Sequence, residues 1–159
     1  MIIRAAMKQD APLVGSLLAE CYNIASPRQG DRVFLDEMKR GFCYLVAEES
    51  KRIIGLASWV MHGLPKHGLA ELDRIAVTAT SRGKGVADAL MEQLIRDTKA
   101  AYTAQKASLR KLYILTHAEN TRAQAFYAKM GFAHEATLKS HYYAQKDEWV
   151  MSRFFDIKY

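Results

Sequence analysis

Apolar residues in this chain alternate, step by four or run together, and each rhythm predicts a different element. Ile2-Ile3-Arg4-Ala5-Ala6 predicts a short first strand. Asp10 stands where an N-cap is expected, with Pro12 in the first turn behind it. The stripe Leu13, Val14, Leu17, Leu18 and Cys21 then predicts a helix to about Tyr22. Asn23 to Asp31 holds Ser26, Pro27 and Gly30 and reads as a loop. Asp31 to Arg40, apolar at Phe34, Leu35 and Met38, reads as a short helix that Gly41 ends. Phe42 to Glu48 and Ile53 to Met61 read as strands of a hairpin around the polar turn Glu49-Ser50-Lys51-Arg52. Gly63, Pro65 and Gly68 mark a loop, and Leu69 to Val77 is the next strand.

The clearest periodicity follows. Val86, Leu90 and Leu94 step by four with Ala87, Met91, Ile95 and Thr98 alongside. They predict an amphipathic helix to about Lys99, whose outer face sets Glu92 four residues before Arg96. Lys111 to Thr116 is a short apolar strand. Asn120 to Met130 is a second amphipathic helix, with Ala123, Phe126, Tyr127 and Met130 on one face and Gly131 as its stop. Phe132 to Tyr143 and Trp149 to Phe155 read as closing strands around the turn Gln145-Lys146-Asp147-Glu148. The order is that of a mixed α/β arrangement with an antiparallel first half. The strands flanking the long helix are expected to be parallel neighbours through a right-handed crossover.

Composition narrows the class. At 159 residues, half of them hydrophobic and a quarter charged, the chain is expected to form one globular domain over 1–159. No apolar run approaches the roughly 20 residues needed to span a bilayer, and the N-terminus lacks a secretory layout, so no membrane partner is expected. Cys21, Cys43 and the five histidines show no ligand spacing. Reduced thiols, a cytoplasmic setting and no metal are the expectation. The net charge of +6 favours anionic partners. The basic residues are scattered rather than clustered, so nucleic acid is not the expected partner.

One stretch changes the picture. Arg82-Gly83-Lys84-Gly85-Val86-Ala87 lies between a strand and a helix start. A glycine-rich turn there presents free backbone N–H groups, and the helix dipole adds roughly half a positive charge. Arg82 and Lys84 add two full charges. The spacing is neither a Walker A loop nor the dinucleotide fingerprint. Alone, the stretch is either an anion-binding turn or an ordinary tight turn with solvated charges.

A second stretch, Asn120-Thr121-Arg122-Ala123-Gln124-Ala125-Phe126-Tyr127-Ala128-Lys129-Met130-Gly131-Phe132, shifts the balance toward the first. Together the two resemble the GNAT superfamily of N-acetyltransferases, which use acetyl-coenzyme A. Arg82, Gly85 and Ala87 match that family's cofactor signature. Asn120, Ala123, Phe126, Tyr127, Gly131 and Phe132 match its second. The resemblance implies a mostly antiparallel sheet flanked by helices. It implies that N–H groups from Gly83, Lys84, Gly85, Val86, Ala87 and Asp88, beside Arg82, hold the pyrophosphate. It implies that Ile75, Ala76 and Val77 pair with the pantetheine arm and that Asn120 and Ala123 meet the cofactor. Tyr127 would give a proton to the leaving thiolate, a transfer from a phenol of pKa about 10 to a thiolate whose conjugate acid lies near 8.5. For the base that helps the amine, Glu71 and Asp73 alternate onto one face of the strand before the cofactor loop. Glu71 is the preferred candidate.

There is one departure. The ribosomal-protein alanine acetyltransferases use a glutamate in the strand before the Asn helix, and the position five before Asn120 is Leu115 here. His117 is an alternative base or a plain polar residue at a strand end, and His62 and His67 are substrate contacts or solvated loop residues. Phe34, Tyr44, Trp59, Tyr142, Tyr143 and Trp149 lie on elements that, by the resemblance, border the acceptor cleft, most of them as core or rim. Tyr142 is singled out as a residue that closes over the acceptor. The expected function is an acetyl-CoA-dependent N-acetyltransferase. Its acceptor is a primary amine, of a small molecule or a protein N-terminus, attacking directly in a ternary complex. The alternatives are a non-catalytic acyl-CoA-binding or sensor domain, and an acetyltransferase for an RNA- or ribosome-associated amine. A homodimer is the assembly the resemblance allows.

Overall fold

A computed structural model describes residues 1–155. Its strands are β1 (Ile2–Ala5), β2 (Cys43–Glu49), β3 (Arg52–His62), β4 (Leu69–Val77), β5 (Lys111–His117), β6 (Ala133–Tyr143) and β7 (Lys146–Phe154). The helices are α1 (Ala11–Cys21), α2 (Pro27–Lys39), α3 (Val86–Ala104) and α4 (Thr121–Lys129). The sheet order is β1-β2-β3-β4-β5-β7-β6. The β1–β2, β2–β3, β5–β7 and β6–β7 pairs are antiparallel, and β4–β5 is parallel, as expected of the strands that flank the long helix. The fold is therefore mixed α/β with a mostly antiparallel sheet. The chain divides into two compact units, one of Met1–Met61 with Arg74–Thr98, the other of His62–Asp73 with Lys99 onward.

The first unit is built around a hairpin and two crossed helices. Ser50 and Lys51 both take positive φ, 50° and 61°, so β2 and β3 join through a two-residue turn whose twist suits the strands. α2 begins four residues before its predicted start. Ser26 is its N-cap, its side chain accepting from the Gln29 N–H, and Pro27 fills the first turn; a Ser-Pro pair that reads as loop is here a helix start. Asp10 stands at the N-cap position of α1, as expected, but does not cap it with its side chain. Its backbone is already helical and its side chain makes no cap bond; Arg4 holds both carboxylate oxygens at 2.8 and 2.9 Å, and the Met7 N–H donates at 2.7 Å. α1 and α2 touch backbone to backbone: a Cβ on Gly30 would sit 2.3 Å from the Gly15 carbonyl oxygen.

Beneath the helices, Val14, Leu17, Leu18, Phe34, Tyr44, Val46 and Leu56 form the core. Phe34, Tyr44 and Trp59 are buried in it or beside it, which makes them packing residues. Fully burying a side chain such as Phe34 stabilises the fold by about 1.5–3 kcal/mol. The Tyr44 hydroxyl donates to the buried Glu37 carboxylate, and Arg74 reaches the same group at 2.9 Å. Arg96 donates to Gln93 at 2.8 Å, the neighbour three residues back, rather than forming the expected pair with Glu92.

The second unit holds the β4–β5 pairing and the β6–β7 hairpin. α3 runs beyond Lys99 because Tyr102 is fully buried, its hydroxyl donating to the Leu69 carbonyl at 2.5 Å. The predicted turn Gln145-Lys146-Asp147-Glu148 is mostly strand: β7 starts at Lys146, and Gln145 takes the turn's positive φ of 64°. Four polar residues look like a turn in sequence. Here the last three, Lys146 to Glu148, open the β7 strand, and Glu148 is buried at 2% exposed. Tyr142 and Tyr143 remain exposed at the end of β6.

Candidate functional site

The first unit carries the loop between β4 and α3. β4 ends where the Thr78 N–H donates to the Ile54 carbonyl at 2.9 Å. Gly83 and Gly85 follow with φ of +73° and +78°. A Cβ at either would meet nothing within 4 Å, so the space beside both residues is open. The Ala89 N–H bonds to the Gly85 carbonyl at 3.1 Å, the first link of α3. The N–H groups of Val86 and Ala87 precede it, in the first turn, where a helix has no carbonyl of its own to offer. Val86 is buried and anchors that start. The Arg82 Nε donates back to the Val77 carbonyl at 3.2 Å, which ties the loop to the strand, while Lys84 is exposed. Successive N–H groups, two positive-φ glycines and open space make a nest suited to a diphosphate.

The strand before the loop departs from its expected role at one residue. The Tyr22 hydroxyl donates to the Ile75 carbonyl and accepts from the Ile75 N–H, both at 3.0 Å. Both peptide groups of Ile75 are thus engaged within the protein, whereas the resemblance has them pairing with a ligand. Arg74 lies over the Tyr22 ring, 4.9 Å from its centroid, which fixes the hydroxyl in place.

In the second unit, Asn120 is the N-cap of α4, its side chain accepting from the Ala123 N–H at 3.1 Å. The spacing of Asn120 and Ala123 thus has a local physical cause, and the Asn120 oxygen is committed to the cap. Gln124 ties the helix to the end of β5, donating to the His117 and Ala118 carbonyls at 3.2 and 2.8 Å. Tyr127, 5% exposed, packs edge-on to Phe126 and Phe132 with centroids 5.5 and 6.0 Å away. Burial pushes its phenol well above the usual tyrosine range, so its proton stays on the oxygen at neutral pH.

Glu71 lies at the centre of a three-residue cluster. His62 Nε2 is 2.6 Å from Glu71 Oε2, and the Tyr113 hydroxyl donates to that same oxygen at 3.1 Å. Glu71 and Tyr113 are register partners across β4 and β5, so their side chains leave the sheet on one face. The His62 and Tyr113 rings stack at 5.9 Å with 25° between planes. Burial, then the Glu71 carboxylate, push the Tyr113 phenol far upward. His62 is therefore no solvated loop residue, whereas His67 is a local brace, its Nδ1 accepting from the Leu64 N–H at 3.0 Å. His117 pairs through Nδ1 with the buried Glu148 and tilts against Tyr143 at 6.1 Å. Tyr22, Tyr113 and Glu148 escape a reading of the sequence. Only the odd-numbered alternation of β5, with Tyr113 in step with His117, hints at one of them.

Among the described residues, no helix is long and apolar enough to cross a membrane, and no group of three or more His, Cys, Asp or Glu side chains could hold a metal ion. A model of the acetyltransferase (GNAT) family matches residues 12–132. Among curated proteins, none matches the sequence at a significant level. Among solved structures, an N-acetyltransferase from Staphylococcus aureus Mu50 is similar at 23% identity, covering 96% of this chain and 97% of its own, with a TM-score of 0.73. The ribosomal-protein-S18-alanine N-acetyltransferase from Escherichia coli is similar at 17% identity, with 99% and 96% covered and a TM-score of 0.81. A mutant of the spermidine N-acetyltransferase SpeG from Vibrio cholerae is similar at 20% identity, with 97% and 95% covered and a TM-score of 0.76. At these identities the likeness is one of fold.

Proposed function

The chain belongs to the acetyltransferase (GNAT) family, and on that premise we propose that it transfers the acetyl group of acetyl-CoA to a primary amine. The acceptor is a small molecule or a protein N-terminus, attacking directly in a ternary complex. The observation that carries the reading is the turn before α3, where Gly83 and Gly85 both take positive φ and an added Cβ would meet nothing within 4 Å. When bound, acetyl-CoA supplies an activated acetyl thioester. The nest, with Arg82 and Lys84, would hold its diphosphate. Ala76 and Val77 would offer peptide groups to the pantetheine arm, leaving Ile75 to Tyr22. Asn120 would use its amide N–H groups, since its oxygen serves the cap, and Ala123 would keep the helix start small. Tyr127 Oη holds the proton for the leaving sulfur, and the amine would lose its proton at the Glu71 cluster.

Similar structures are named as N-acetyltransferases of a ribosomal-protein alanine and of spermidine, and both compounds carry a primary amine, which fits this class. The free cysteines suit a cytoplasmic setting, and a homodimer is the assembly we would test first. The decisive assay is thiol release from acetyl-CoA with polyamines, amino acids and short peptides as acceptors. Amine-dependent release is expected. Tight CoA binding without it would replace this reading with a sensor domain.

A further inference from the structure

We propose that His62, through Nδ1, accepts the proton of the acceptor amine, and that Glu71 is the positioning carboxylate that holds His62 ready. This rests on the acetyl-transfer reading above and names the atom within the Glu71 cluster. Both hydrogen bonds to Glu71 end on one oxygen, from His62 at 2.6 Å and from Tyr113 at 3.1 Å. An ionised carboxylate can only accept, so His62 Nε2 carries the hydrogen. The neutral ring then has its lone pair on Nδ1. No other hydrogen bond is made to that ring among the described residues. The stacked Tyr113 ring restricts rotation of the imidazole. The His62 side chain is 41% exposed and that of Glu71 18%, so the imidazole is the outer member of the pair.

The chemistry favours the same division of labour. Glu71 Oε2 already accepts from two donors within the cluster. As a class, imidazole matches an operating pH near 7 better than a carboxylate does. In the step, the amine N–H proton moves to Nδ1 while the nitrogen's electron pair goes to the new N–C bond. The resulting imidazolium is balanced by Glu71 and later gives its proton to water. The Tyr127 proton goes to the sulfur as the C–S bond breaks, and water restores it. The titratable groups around the ring are Glu71 from β4 and Tyr113 from β5, with Tyr142 acting on the Tyr113 phenol.

The test pairs His62→Gln and Glu71→Gln with 15N NMR of the histidine rings in the intact, ligand-free protein. In the wild type, the neutral His62 ring is expected as the Nε2–H tautomer, turning to a mixture in Glu71→Gln. His62→Gln is expected to lower amine-dependent turnover about 100-fold and to remove the acidic limb of the kcat/KM profile, with CoA affinity and melting temperature retained. Glu71→Gln is expected to keep that limb at reduced turnover, because the imidazole is still present but loses the carboxylate that orients it. If His62→Gln keeps rate and limb while Glu71→Gln loses both, Glu71 is the base and the proposal falls. An Nδ1–H tautomer in the wild type also overturns it. No turnover with any amine would sink the transfer reading, and the base role with it; turnover insensitive to His62→Gln sinks the base role alone.

Discussion

The β4–α3 loop and the His62–Glu71–Tyr113 cluster do opposite things with their side chains. The loop's chemistry is in the backbone: Gly83 and Gly85 both take positive φ, and the space beside their Cα atoms is open. The cluster's chemistry is in side chains from three strands, gathered on one carboxylate oxygen. A site that recognises an invariant anion can be built from main chain. A site that must move a proton needs groups whose charge can change, each held by the others. The two should therefore fail differently under mutation.

The largest effect is expected at the loop. Gly85→Asp places a side chain at φ +78° and a negative charge where phosphate would sit, and CoA affinity by calorimetry should fall about 100-fold or more. Gly85→Ala, with strain alone, should cost far less, which separates charge from geometry. A loop variant that binds CoA normally would remove the backbone half of the comparison. Next is Tyr127→Phe. Turnover should fall about 100-fold while CoA affinity holds, because the ring still packs against Phe126 and Phe132. A fully active Tyr127→Phe would leave the thiolate without the donor assigned here.

The smallest effect is a control outside both regions. Arg4 holds the Asp10 carboxyl below the usual carboxylate range. A lowered folded-state pKa contributes stability above the unfolded value of about 3.9 and loses it as pH falls below that. Asp10→Asn should therefore cost about 1–2 kcal/mol at pH 7. The gap from wild type should close as pH drops below about 4 in urea melts. CoA affinity should not change. If it does, the loop is less self-contained than its geometry implies.

What is legible in the sequence follows from the kind of contact behind each feature. Helices α3 and α4, the β2–β3 hairpin and the loop are readable because their causes are local: period, turn residues and adjacent glycines. The start of α2 is not, because Ser26 and Pro27 serve loops and helix caps alike. The segment before Glu148 reads as a turn because charge density says nothing about a carboxylate whose partner, His117, is 31 positions away. Tyr113 is 42 positions from Glu71. Their meeting depends on the parallel register Glu71↔Tyr113, which no periodicity specifies. Glu71 itself is legible as a candidate, but its neighbours, which decide its chemistry, are not.

Tyr22 at the end of α1 has a consequence of a different kind. One hydroxyl oxygen serves both the N–H and the carbonyl of Ile75. That amide can trade its hydrogen for deuterium only when the Tyr22 hydroxyl lets go. The Ile75 exchange rate is thus a clock for the Tyr22 side chain, 53 positions earlier in the chain.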